Sequence, residues 1–168
     1  GRLNDPKIRE NFIVKVFSFN RLQNLFNKDF SIGALVRFHT QQKFLLLAHS
    51  RKHYDSLGQL VAKSKSLNKA DVKAEYGKIF METMAFKATT KKNTDVLLHM
   101  MGFLKKILGK GEKEDILKTI QDYRKEILPL IVPVTLIRHQ VNKHNIKYLK
   151  EQTYLNPHPK ELMLRNHV

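Results

Sequence analysis

Apolar side chains recur at spacings of three and four residues along most of this chain, and this spacing constrains the fold more than any other feature. The clearest run reads Ile8, Phe12, Val16, Phe19, Leu22 and Phe26. Such spacing places side chains on one face of an α-helix. No stretch alternates apolar and polar residues as a strand does, and no Asn-Gly or Asp-Gly pair separates β-branched runs. The sequence therefore predicts an all-α fold, with these six side chains facing the core.

Helix-capping residues divide the chain into about seven helices. The predicted N-terminal signals are Asp5 before Pro6, Ser31, Ser50, Asn68, and either Asn93 or Thr94. Gly109 and Gly111 predict a left-handed end to the fifth helix. The sixth carries Ile116, Ile120, Tyr123 and Ile127 on its inner side. Pro129 and Pro133 leave two starts open for the seventh, which the second proline should kink if the first begins it. We expect a single compact bundle with a Pro-rich C-terminal segment.

Two smaller features add expectations. Gly102, inside the fifth helix, costs about 1 kcal/mol relative to alanine, which predicts the close approach of another backbone. The sequence around Pro157-His158-Pro159 predicts an extended segment followed by a short helix.

The length of 168 residues, of which 42% are hydrophobic, suits one domain that spans 1–168. The longest nearly apolar stretch, 128–137, contains two prolines and a threonine and is shorter than the roughly 18 residues of a membrane span. No stretch resembles a signal peptide. We therefore expect a cytoplasmic protein with no membrane partner.

The charge is strongly basic. Lysine and arginine number 31 against 15 aspartates and glutamates, which gives a formal net charge of +16. Such an excess attracts phosphates at long range and favours a polyanionic partner such as nucleic acid. Lysine accumulation on solvated faces, or attraction to a membrane surface, would produce the same composition.

The chain has no cysteine, which excludes disulfides, thiolate nucleophiles and cysteine-ligated iron–sulfur or zinc centres. His49 and His53 flank the cap at Ser50 and have few carboxylates nearby, so we expect no metal site. Acidic residues cluster where they complement the dipole of the sixth helix, namely at Glu112, Glu114 and Asp115. The sequence predicts no catalytic residues and no cofactor.

Cationic side chains interrupt the apolar stripe of the second helix. His39 and Lys43 lie four residues apart, between Leu35 and Leu46. Because unpaired burial would be costly, they either line a wet concave site or are satisfied structurally. The candidate nucleic-acid-binding residues are Arg37, His39, Lys43, Lys91, Lys92, His99, Lys105, Lys106, Arg138 and His139. Aromatic residues that could stack on bases, or belong to the core, are Phe103, Tyr123, Tyr148 and Tyr154.

These features together resemble the YbgA-type family, a domain found alone and fused behind a desulfidase domain. The resemblance rests on residues 9–12 (RENF), 38–40 with Lys43, 46–50 (LLAHS), 99–106 (HMMGFLKK), 123–124 (YR), 129–133 (PLIVP), 138–139 (RH) and 154–162 (YLNPHPKEL). Residues 1–6 resemble the junction to the desulfidase domain.

The resemblance implies that the partner domain holds a [4Fe–4S] cluster and removes sulfur from thiolated uracil or thiouridine, while this domain brings in tRNA. The chain would then be an accessory domain and not an enzyme by itself. Two alternatives stay open. One is a docking domain that packs on the desulfidase domain through an apolar patch near residues 1–9 and binds no RNA. The other is a nucleotide-directed enzyme that uses the His39 and His139 region.

Overall fold

The computed structural model describes residues 1, 4–28 and 30–159, and within these residues it contains eight α-helices and no β-strand. The helices are α1 (Pro6–Asn27), α2 (Ile32–His49), α3 (Arg51–Lys63), α4 (Lys69–Ala85), α5 (Thr90–Leu104), α6 (Lys110–Arg124), α7 (Ile131–Lys143) and α8 (Lys147–Lys150). Short 3-10 turns lie at Ser64–Ser66 and Thr153–Leu155. The all-α prediction is confirmed. The short helix predicted after Pro159 falls on 160–168, outside the described residues.

The first four N-caps are those predicted. The Asp5 carboxylate accepts the Lys7 backbone N–H at 2.9 Å, and the Asn68 side chain accepts that of Ala70 at 2.9 Å. Ser31 and Ser50 cap α2 and α3 in the same way. Side-chain oxygens here satisfy N–H groups that have no partner within the helix, so a local signal fixes each start.

The predicted start of α5 is wrong. The helix begins at Thr90, and the Thr89 hydroxyl accepts the Lys92 backbone N–H at 3.2 Å. Asn93 and Thr94 are buried within the helix, where their side chains donate back to carbonyls one turn earlier. Both residue types bond well to local backbone, so the sequence did not distinguish a cap from an interior position.

The glycines and prolines also differ from expectation. Gly109 has an extended conformation and is the N-cap of α6, so no left-handed glycine ends α5. Two non-glycine residues are left-handed instead, Glu126 with φ of 59° and Asn145 with φ of 49°. Glu126 turns the chain after α6, and Ile127, which follows it, is 66% exposed. Helix α7 begins at Ile131, between the two prolines, and Pro133 lies in its first turn, where no helical N–H bond is lost.

Helix α2 is central, since it packs against α1, α3, α4 and α5 as well as the 3-10 turn at Thr153–Leu155. Its apolar residues Leu35, Phe44 and Leu46 are fully buried. No helix in the described part of the chain has the length and apolar character needed to cross a membrane.

The predicted inner face of α1 is wrong over its first four turns. Phe12, Val16 and Phe19 are 50%, 40% and 44% exposed. The buried side chains there are instead Glu10, Val14 and Ser18, whereas Leu22, further along the helix, is buried as predicted. Periodicity identifies a stripe but does not say whether the protein's own core covers it.

Two glycines behave in opposite ways. A Cβ on Gly102 would meet no atom within 4 Å, so the predicted backbone approach is absent there. A Cβ on Gly77 in α4 would lie 2.9 Å from the Phe26 ring of α1, so the close contact between helices occurs at Gly77.

Candidate nucleic-acid interface and cavity

Four side chains from three helices form a cluster that we term the basic–aromatic patch: Lys43 of α2, His99 and Phe103 of α5, and Tyr148 of α8. The His99 and Phe103 rings are nearly parallel, with centroids 6.1 Å apart and an interplanar angle of 16°. The rings of Phe103 and Tyr148 lie 5.4 Å apart at 34°. Phe103 is 39% exposed and His99 is also exposed, so ring surface remains available to a ligand.

One buried ring supports the patch. His99 and Phe103 lie four residues apart and therefore share a face of α5. The Phe44 ring contacts His99, Phe103 and Tyr148 close to edge-on, with centroids 5.2, 6.3 and 6.2 Å away. Because Phe44 is fully buried, it supports these three rings from the core side.

The surroundings of His99 are positively charged. Its pKa is lowered, first by partial burial and then by the charges of Lys43 and Arg51. The ring is therefore neutral at pH 7. Arg51 has a carboxylate neighbour in Asp55 at 4.0 Å, but its side chain is 81% exposed. The patch thus combines neutral rings with nearby cations.

His39 is satisfied structurally, one of the two interpretations left open by its sequence position. Its ring is 8% exposed and lies parallel to the Tyr54 ring at 5.2 Å and 6°. Its Nδ1 lies 3.1 Å from the Tyr76 hydroxyl. Burial, followed by the Lys43 charge, lowers the pKa of His39 to about 4. His39 is therefore a buried side chain held by Tyr54 and Tyr76, close enough to Lys43 to feel its charge.

Two residues predicted to contact nucleic acid instead donate hydrogen bonds to backbone carbonyls of the protein. The Lys92 ammonium donates to the carbonyls of His49 at 2.7 Å and Lys87 at 3.1 Å. The Arg138 guanidinium donates to the Leu155 carbonyl at 2.9 Å and to the Asn156 side chain at 3.0 Å. These contacts tie α5 to the end of α2, and α7 to the C-terminal segment.

The remaining candidates are spread over the surface. Arg37 is exposed on α2, His139 is exposed on α7, and the adjacent residues Lys105 and Lys106 are exposed after α5. Lys91 is exposed at the rim of a cavity. The structure brings together only His39, Lys43 and His99 among the ten predicted residues.

A cavity of about 420 Å³ lies where α1 and α5 begin, beside the end of α2. Its nearly buried polar lining includes Glu10, which accepts from His158 at 3.0 Å, and Asn93, which accepts from the Tyr154 hydroxyl at 2.7 Å. His49 also lines it, and its Nδ1 donates to the Phe86 carbonyl at 2.6 Å.

Sequence reasoning did not assign Glu10 or Asn93 to a site, and it considered Tyr154, which is buried, only as a stacking or core residue. A signal was available for two of them, because Glu10 and Tyr154 belong to segments that carry the family resemblance. In residues 1, 4–28 and 30–159, no three histidine, aspartate or glutamate side chains form a group able to hold a metal ion.

Fold and sites together define a strongly basic, all-helical domain with an aromatic surface patch and a cavity lined by polar groups. Residues 43–159 match the family described as "Protein of unknown function (DUF1722)", and the chain belongs to this family. It is also 26% identical to "Uncharacterized protein YbgA" of Escherichia coli (strain K12) over 165 residues, which cover 98% of each chain. This agrees with the YbgA-type resemblance. No solved structure matches the chain.

Proposed function

We propose that this chain is an RNA-binding domain that holds unpaired bases at the basic–aromatic patch. The observation that supports it is the run of rings formed by the exposed His99 and Phe103 and the half-buried Tyr148, beside Lys43. Stacking of a base on an aromatic side chain contributes about 1–3 kcal/mol and is the usual means of holding single-stranded RNA.

Charge supports the same proposal. Lys43 and the exposed Arg51 lie near enough to His99 to lower its pKa, so phosphates beside stacked bases would meet cations. The net charge of +16 provides attraction over a longer range. The neutral rings supply stacking and the cations supply phosphate contact.

The family resemblance narrows the proposal to tRNA. Under this proposal, the chain is a cytoplasmic accessory domain that presents thiolated uridine to a fused or separate desulfidase domain. It performs no catalysis itself. Unpaired loops of tRNA offer the splayed bases that such a patch would bind.

The test compares two exposed phenylalanines. Fluorescence anisotropy with labelled tRNA and a single-stranded oligonucleotide measures the affinity of the wild type, Phe103→Ala and Phe19→Ala. Phe19 is 44% exposed on α1 and serves as a matched control. We expect Phe103→Ala to weaken binding by roughly tenfold or more and Phe19→Ala to leave it unchanged. Equal affinities for all three proteins would contradict the proposal.

The exposed face of α1 favours a second candidate, docking onto the desulfidase domain. Phe12, Val16 and Phe19 form an apolar stripe immediately after the segment in which such a patch was predicted. Under this alternative, Phe19→Ala weakens co-purification with a separately expressed desulfidase domain, whereas Phe103→Ala does not. No observation favours the enzyme alternative, because His39 is buried beside Tyr54 and Tyr76 while His139 is exposed on α7.

A further inference from the structure

The cavity is a feature that the proposed RNA-binding patch does not use. Its volume of about 420 Å³ lies within the range of roughly 300–1,000 Å³ typical of small-ligand sites. None of the four patch residues lines it. Its ligand can therefore be considered independently of RNA binding.

The inner part of the cavity combines apolar walls with a few convergent polar groups. The apolar lining residues are Ile8, Val14, Leu45, Ala48, Ala88 and Leu130. The Glu10 carboxylate accepts from His158, and the Asn93 amide accepts from Tyr154 and donates to the Thr89 carbonyl. A carboxylate and a side-chain amide can each make more than one such bond, so a ligand would add to these contacts. Tyr123 and Tyr154 add flat aromatic surface. Such a lining suits a planar heterocycle, whose edge carries hydrogen-bonding groups and whose faces are apolar.

The rim of the cavity is positive at the α5 side. Lys87 and Lys91 are both exposed there, beside the N-cap Thr89 and the first residue, Thr90, of the 15-residue helix α5. The positive end of a helix dipole and two ammonium groups favour an anion.

The α1 side of the rim offers no comparable excess of positive charge. The Asp5 carboxylate caps α1 there, and the Lys7 ammonium is paired with Glu126 at 3.0 Å. An anionic group is therefore favoured at the α5 end of the rim.

We propose that this cavity binds a small planar heterocycle bearing an anionic group, of the size of a nucleoside monophosphate. The ring lies against Glu10 and Asn93, and the anion lies at the N-terminus of α5 beside Lys87 and Lys91. The site does not require the basic–aromatic patch.

Thermal unfolding of the full chain tests the ligand class. The probes are uridine and adenosine 5′-monophosphates, with uridine and inorganic phosphate as partial ligands. A bound mononucleotide at about one hundred times its Kd raises Tm by roughly 5–10 °C. Uridine or phosphate alone gives a much smaller rise at the same concentration. Failure of both mononucleotides to raise Tm at about 10 mM overturns the proposal.

Variants locate the site. Ala88 lines the cavity, and Ala88→Leu fills it, whereas Ala85→Leu changes an exposed residue outside it. We expect Ala88→Leu to abolish the mononucleotide-dependent rise in Tm and Ala85→Leu to retain it. Lys91→Gln, on the exposed rim, tests the same point without altering the core. We expect it to weaken binding of the mononucleotide but not binding of uridine. A rise retained in both Ala88→Leu and Lys91→Gln contradicts the assignment.

The two proposals fail separately. Phe103→Ala should retain the rise in Tm that the mononucleotide causes, and Ala88→Leu should retain the affinity for RNA. RNA binding lost in Ala88→Leu, with normal unfolding, would contradict the independence of the cavity from the patch.

Discussion

The imidazole of His158 donates to the Glu10 carboxylate at 3.0 Å, and the two side chains are only 6% and 9% exposed. This pair joins the C-terminal segment to α1 beside the cavity. Arg21 of α1 also donates to the Pro157 carbonyl at 2.8 Å, so the same segment is held to α1 at two points. The Pro-rich segment is therefore integral to the fold.

Removing His158 should destabilise the protein markedly. His158→Ala removes a hydrogen-bond donor from a nearly buried carboxylate, a loss of about 1.5–3 kcal/mol in the free energy of unfolding. Urea unfolding measures it. Lys7→Ala is the matched control, since the Lys7–Glu126 pair has the same length but is 56% and 64% exposed, and such exposed pairs contribute little to stability. Equal losses in both variants would contradict the structural role of His158.

The two contrasting glycines predict opposite responses to alanine. Gly102→Ala, exposed and unobstructed in α5, should raise the free energy of unfolding by about 0.5–1 kcal/mol. Gly77→Ala should lower it, by roughly 1–3 kcal/mol, because the new methyl group would force the Phe26 ring away. Stabilisation by both substitutions would show that α1 and α4 do not approach closely at Gly77.

His39 should make stability depend on pH. Its pKa is about 4 in the folded protein against 6.5 for the free side chain. Between these pH values the unfolded chain binds a proton that the folded chain does not. The free energy of unfolding therefore falls as the pH drops through this window, by up to about 3 kcal/mol.

Urea unfolding between about pH 7 and pH 4 measures this dependence, and His39→Gln provides the comparison. The two proteins are compared only in how steeply the free energy of unfolding changes with pH, because Gln also alters the contact with the Tyr76 hydroxyl. We expect the wild type to lose more stability on acidification than the variant. Parallel profiles would show that His39 is protonated as readily in the folded protein as in the unfolded chain.

Arg138 should act on stability rather than RNA affinity. Arg138→Gln removes the guanidinium donors to the Leu155 carbonyl and to Asn156, a cost of about 1.5–3 kcal/mol in the free energy of unfolding. Anisotropy at a temperature where the variant is folded should give an unchanged Kd for tRNA. Normal stability combined with weakened RNA binding would reverse this assignment.

The sequence predicted helices best where their limits depend on local chemistry. Asp5, Ser31, Ser50 and Asn68 cap their own helices, so the first four starts were foreseeable. The orientation of α1 was not foreseeable, because periodicity identifies an apolar stripe but does not say which surface covers it. Phe12 and Phe19 satisfy a core pattern, yet the protein buries Glu10 instead.

The sites were predictable in part. The interruption of α2 by His39 and Lys43 pointed to the region of the basic–aromatic patch, but their different surroundings depend on Tyr54 and Tyr76 of other helices. The cavity was missed because Glu10, His49, Asn93 and Tyr154 come from separate segments that meet only after folding.

The salt dependence of RNA binding tests the central claim most directly. For the wild type, log Kd for a single-stranded oligonucleotide should change linearly with log salt, with a slope proportional to the number of phosphates contacted. Lys43→Gln should lower the slope by about 0.7, and Phe103→Ala should weaken binding at every salt concentration with an unchanged slope. Absence of binding at low salt, or two variants indistinguishable from the wild type, would contradict RNA binding at the basic–aromatic patch.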